Sequence, residues 1–418
     1  MYYICKMRYI ISLLFLFVTS LAIAQPVPPE LSSWLINTTG ATGYNGLPSN
    51  VQRVQYSDSS VYVSCSGIPG YSIGPWHGDP NVPTDQNFIF RIPRFPVANV
   101  GRLTPTPLGH VAIWTNGVSM FNAKDAHSYN NDGVWYRNAV VVEGASFDAC
   151  LGHADQTGEY HHHLNPVCLY DSHDSLHHSP IIGYAFDGYP VYGAFGYANA
   201  DGTGGIRRMR SSYRLRAITE RTTLPDGTVL ASAQYGPPIS AQYLLGYFIE
   251  DYEYVPGLGD LDSNNGRFCV TPEYPNGTYA YFVTTDSTGT ATYPYTIGPY
   301  YHGVVTAADI GPASGHITIS EPVLTYVPSS SGITPTLDSS TSELFPNPAN
   351  HWVEINYSST RDYLTRITIT DERGAHRVSE KVTGPTDIVR LDALPAGHYF
   401  VRIVTSSGKT KVLPLVKK

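Results

Sequence analysis

The apolar stretches of this chain are short and closely punctuated, and that limits its fold more than any other feature. Val61-Tyr62-Val63, Phe88-Ile89-Phe90, His110 to Trp114, Ala139 to Glu143 and Tyr279 to Thr284 are each bounded by Gly, Pro, Asn or Asp. Runs of this length between turn residues read as strands, because a helix needs a longer periodic stretch. Only 239–254 (ISAQYLLGYFIEDYEY) offers a helix-length candidate. The chain is therefore predicted to be mainly β: a large β-rich body with long loops, followed by a small C-terminal antiparallel β-sandwich.

Composition narrows the function classes. Charged residues are 14% of the 418, against about 25% in an average soluble protein. With 42% hydrophobic residues and a net charge of −8, the chain is not of the disordered class. Charge is also divided along its length. Residues 343–418 hold 11 Lys+Arg and 8 Asp+Glu, whereas 25–342 hold 13 and 26, a net −13. So acidic a body excludes nucleic acid and anionic membranes as partners and suits cations.

Both ends carry export features. Lys6 and Arg8 precede an apolar run, Ile11 to Ala24, ending in Ala22-Ile23-Ala24. This is the pattern of a secretory signal peptide over 1–24, cleaved before Gln25. No other stretch is apolar enough to span a bilayer, so the mature chain is expected to have no transmembrane span. Residues 25–327 form the body, and 328–342 (PSSSGITPTLDSSTS) have linker composition. Beyond them, Val353 to Tyr357 and Tyr399 to Ile403 alternate apolar with polar residues, and 371–374 and 406–409 read as hairpin turns. The segment Phe345-Pro346-Asn347-Pro348-Ala349, the 371–374 turn, and Leu394-Pro395-Ala396-Gly397 with Tyr399 before a basic end resemble the C-terminal sorting domain of the type IX secretion system. That resemblance, over 343–418, implies the type IX machinery as partner and a secreted or outer-membrane-surface location.

After signal removal four cysteines remain: Cys65, Cys150, Cys168 and Cys269. An even count in an exported chain favours two disulfides. Of the three pairings, Cys150–Cys168 with Cys65–Cys269 is preferred, since the first closes a short loop. Seven of the 15 histidines fall between 153 and 178. If 160–163 is extended, His161 and His163 share one face, and Tyr160 and His162 the other. Two imidazoles at i and i+2 can reach one ion, and a turn near Gly158 can return His153 as a third ligand. His178 is a fourth ligand or a group that orients one. These residues point to a divalent transition metal, Cu or Zn.

The segment Tyr160-His161-His162-His163 also resembles the YHYH domain family, named for a Tyr-His-Tyr-His motif. His162 departs from the name, on the face opposite His161 and His163. Further matching blocks are His178-Ser179-Pro180 through Gly193, Asp251 to Tyr254, Leu261 to Phe282, and Tyr293-Pro294-Tyr295-Thr296-Ile297-Gly298-Pro299. The resemblance covers about 100–303. It implies that the histidines matter and supplies no reaction.

Two carboxylates inside these blocks, Asp148 and Asp187, are the candidate catalytic groups. Glu273 is placed to pair with Arg267. No G-x-S-x-G elbow, Walker loop, dinucleotide fingerprint or H-E-x-x-H helix occurs, so no nucleotide cofactor is expected. The arginines Arg207, Arg208, Arg210, Arg214, Arg216 and Arg221 read as a solvated hairpin. The competing function is a non-enzymatic surface module with structural histidines, whose tyrosines (32 in all) would take a glycan or another small molecule.

Overall fold

Phe88-Ile89-Phe90-Arg91-Ile92-Pro93 alternates buried with half-buried residues along its strand. Such alternation gives a sheet one face to pack, and each large apolar side chain fully buried contributes about 1.5–3 kcal/mol. In the computed structural model, which describes residues 27–312, 314–328, 341–358, 364–371, 376–384, 386–405 and 410–418, this strand closes a four-stranded antiparallel sheet. Its order is Leu324–Tyr326, Val51–Tyr56, Ser60–Cys65, Phe88–Pro93. The signal segment 1–24 and nearly all of the linker lie outside the described residues.

An eight-stranded mixed sheet packs against it. The order is Gly266–Cys269, Thr278–Phe282, Pro190–Tyr192, Ile181–Ala185, His110–Trp114, Ser119–Phe121, Tyr160–His162, His153–Ala154. Val54, Val63, Phe90 and Ile92 meet Ile113, Tyr184, Tyr192 and Phe282 in one core. The opposite face of the large sheet is also covered: Trp114, Met120, Tyr160, Ile182 and Tyr281 form a second core with loop residues Ile73, Ile297 and Tyr301. Burial on both faces explains why His110–Trp114 is buried at every position and does not alternate. The turn leaving that strand needs Gly117 at φ +82, where an added β-carbon would lie 2.5 Å from the Cys65 β-carbon.

The fold is mainly β, and among the described residues the α-helices, Pro29–Ser32 and Ala139–Val142, are four residues each. The helix expected over 239–254 does not form. Gly246 and Phe248 donate their N–H groups to one oxygen of Asp251, which folds the segment into a tight turn ahead of the strand Tyr252–Tyr254. Arg221 secures that turn from inside the protein, donating to both oxygens of Asp251 and to the carbonyls of Pro237, Tyr243 and Leu244. It is buried, so the arginine group is not wholly a solvated hairpin.

Cys150 and Cys168 are bonded. The second expected disulfide is absent: Cys65 and Cys269 are both free thiols buried in the core between the sheets. They stand on strands of different sheets and pack there as small apolar side chains.

The chain divides into two compact units, 1–327 and 328–418. The second holds a three-stranded sheet (Thr341–Phe345, Trp352–Ser358, Thr386–Arg390) and a four-stranded one (His376–Gly384, Leu364–Asp371, Gly397–Thr405, Thr410–Lys417) around Val353, Ile355, Ile367, Ile369, Val401 and Ile403. The 406–409 turn and most of the 371–374 turn lie outside the described residues.

Candidate metal centre

The site is built at one edge of the large sheet. The strand Tyr160–His162 runs parallel to Ser119–Phe121, with His161 opposite Ser119, and antiparallel to His153–Ala154, with His153 opposite His161. Alternation sends the Tyr160 and His162 rings to one face, 5.2 Å apart. It sends His161 and His163 to the other, with their Nε2 atoms 3.2 Å apart. Across the hairpin, His153 Nε2 lies 3.1 Å from His161 Nε2. A fourth donor joins them. Glu143 Oε2 is 3.1 Å from His153 Nε2 and 3.3 Å from His163 Nε2. One donor atom from each of the four lies within 4.8 Å of the others.

These spacings suit a single ion. Tetrahedral ligands at about 2.0 Å from a metal stand about 3.3 Å from one another; four of the six donor pairs have that spacing, and the other two lie within 4.8 Å. Each imidazole is also fixed from behind. His161 Nδ1 is 3.0 Å from the Glu159 carbonyl, and His163 Nδ1 is 2.6 Å from the Asn122 carbonyl. A carbonyl only accepts, so both Nδ1 atoms carry a hydrogen, and in the neutral ring the Nε2 atom presents its lone pair to the group. His153 Nδ1 is 2.8 Å from the Ser146 hydroxyl. The Phe121 ring stacks on His161 at 4.0 Å, and Phe147 lies edge-on to His153 at 4.9 Å. Glu159 anchors a further layer, its carboxylate 2.6 Å from His110 Nε2, while His110 Nδ1 meets Ser314.

Electrostatics follow the packing. Burial, reinforced by the neighbouring His153 and His163, holds His161 well below the usual imidazole range. Burial pushes the Glu143 carboxyl up, but hydrogen bonds from His153 and His163 outweigh it and pull the carboxyl down. His161 is therefore a neutral imidazole beside an ionised carboxylate, the protonation states in which these side chains ligate metals.

The other residues singled out in the sequence lie elsewhere. His178 does not join the four. Its ring sits among Tyr192, Tyr197 and Phe282, with Nδ1 on the Ser179 carbonyl. Asp148 organises the loop: it accepts from the N–H groups of Gly74, Cys150 and Gly152 and from the Tyr160 hydroxyl. Asp187 accepts from Tyr281 Oη and from the Tyr189 and Gly303 N–H groups, and burial raises it to about 6. Glu273 takes a hydrogen bond from Tyr192, and Arg267 donates to the Tyr197 carbonyl, so those two do not pair. Glu143 escaped sequence reasoning. It ends an apolar run ten residues before His153, just past a separate short helix, where no spacing rule points to it.

Residues 89–294 match the family model of the YHYH protein. The body holds a YHYH domain. The site described above is thus part of the YHYH domain, whose match begins earlier than the sequence blocks indicated. Residues 343–417 match the secretion system C-terminal sorting domain, which indicates export to the surface or beyond and interaction with the type IX system. No helix among the described residues is long and apolar enough to cross a membrane. No curated protein matches the chain. A solved structure of PorZ, an essential bacterial surface component of the type IX secretion system of human oral-microbiomic Porphyromonas gingivalis, is 12% identical, with 87% of this chain and 51% of that chain covered. The chain thus spans about half the length of PorZ, and a TM-score of 0.16 carries no argument about fold or function.

Proposed function

We propose that this exported YHYH protein binds one divalent transition metal, Cu or Zn, through His153, His161, His163 and Glu143. One observation carries the reading. Two buried Nε2 atoms, on His161 and His163, face each other at 3.2 Å, with each Nδ1 turned to a carbonyl. Like lone pairs at that distance repel unless a positive charge lies between them. Burial disfavours a charged His161, so a proton on that ring does not supply the charge. A metal ion satisfies both lone pairs, together with His153 and the carboxylate.

The carbonyls of Glu159 and Asn122 then act as orienting partners, fixing the tautomer that ligates. Asp148 and the Cys150–Cys168 bridge hold the hairpin that presents the imidazoles. The glycan reading loses support because Tyr160, Tyr184, Tyr192, Tyr281 and Tyr301 are fully buried core rings. Metal analysis of the purified protein tests the proposal. The expected result is near one equivalent of metal, falling to trace in His161→Ala/His163→Ala. Equal content in both proteins overturns it.

A further inference from the structure

Resting on that metal reading, we infer that Glu143 is an exchangeable ligand, whose carboxylate occupies a position that a small anion from solvent can take. The four donors are not equivalent. The three imidazoles come from a packed hairpin, with side chains 9% (His153) and 3% (His163) exposed and His161 3% exposed as a residue. Glu143 is 24% exposed, so the solvent side of the group is the carboxylate.

Packing shows the same asymmetry. An added β-carbon at Gly152 would lie 2.4 Å from the Tyr160 ring, and at Gly158 2.5 Å from Thr84 Oγ1, so the hairpin backbone is closely packed at both positions. At Gly144, directly after Glu143, an added β-carbon would meet nothing within 4 Å. Phe121 and Phe147 close the imidazole side. Glu143 itself follows a four-residue helix, and among the described residues its carboxylate forms ion pairs with His153 and His163 alone. Glu143 also neighbours the Asp125 carboxyl, which is paired with Arg137.

A ligand replacing it must be small, because the vacated space is that of one carboxylate. It must be anionic, because it faces a dication held by three neutral imidazoles. Ligand exchange of this kind gives a buried ion one open position, the feature that separates reactive from purely structural metal sites.

Cobalt(II) substitution of the full chain, with azide as probe, tests this by visible absorption. Wild type, Glu143→Ala and Glu143→Gln are each expected to retain one cobalt per chain. Azide should bind Glu143→Ala roughly tenfold or more tighter than wild type, with Glu143→Gln between them. Equal azide affinity in wild type and Glu143→Ala overturns the inference. So does loss of cobalt from both Glu143 variants, which would make the carboxylate a permanent ligand while leaving the three-imidazole reading intact. Failure of wild type itself to bind cobalt, zinc or copper would remove the metal reading and this inference with it.

Discussion

One residue along from His161, the His162 ring turns to the other face of the strand, buried against Tyr160 and Trp114. Neither of its nitrogens has an aligned hydrogen-bond partner. Burial lowers it to about 3. In the unfolded chain it titrates near 6.5, so as pH falls from there toward 3 the unfolded state takes up the proton first and stability is lost. Above about 6.5 both states are neutral and the residue adds no pH dependence. His162→Phe is therefore expected to keep its metal while losing less stability between about pH 7.5 and 4.5, by about 2–3 kcal/mol. Denaturant melts at the two pH values check this, and equal acid losses in both proteins would refute it. The sequence already separated His162 from His161 and His163, because strand alternation depends on backbone geometry alone. His178 was not separable. Its chemistry resembles a ligand's, and only the fold places it among aromatic rings.

At the level of the element, the hairpin around 148–168 does the positioning. Asp148 accepts three backbone N–H groups and one hydroxyl, and the disulfide closes the loop behind it. Asp148→Ala leaves buried donors unpaired, at about 1–3 kcal/mol each. A loss of about 4 kcal/mol or more in unfolding free energy is expected, with metal affinity down about 10–100-fold in a chelator competition. A variant as stable as wild type would show that the loop holds itself. Asp148 was legible as important, though its loop-anchoring bonds were not: proximity to Cys150 and His153 in sequence looks alike for a base and for a loop anchor. Glu143 was not legible, because its short helix reaches the hairpin only through tertiary packing.

For the whole molecule, the two-sheet core makes its own prediction. Cys65 and Cys269 are free and buried, and burial raises both thiols. A thiol reagent should find neither in the native protein and both after denaturation without reductant. No reactive thiol in the denatured chain would mean that the two are bridged. The mainly-β class was legible from short punctuated runs, and the tail from its alternation. The second disulfide was misjudged because cysteine parity carries no information about which sheet each strand joins. The central claim concerns one ion and four donors, so X-ray absorption of the metal-loaded protein tests it most directly. The expected spectrum has nitrogen and oxygen scatterers at about 2.0–2.1 Å with the outer-shell pattern of three imidazoles. A sulfur shell near 2.3 Å, or no imidazole pattern, would contradict it.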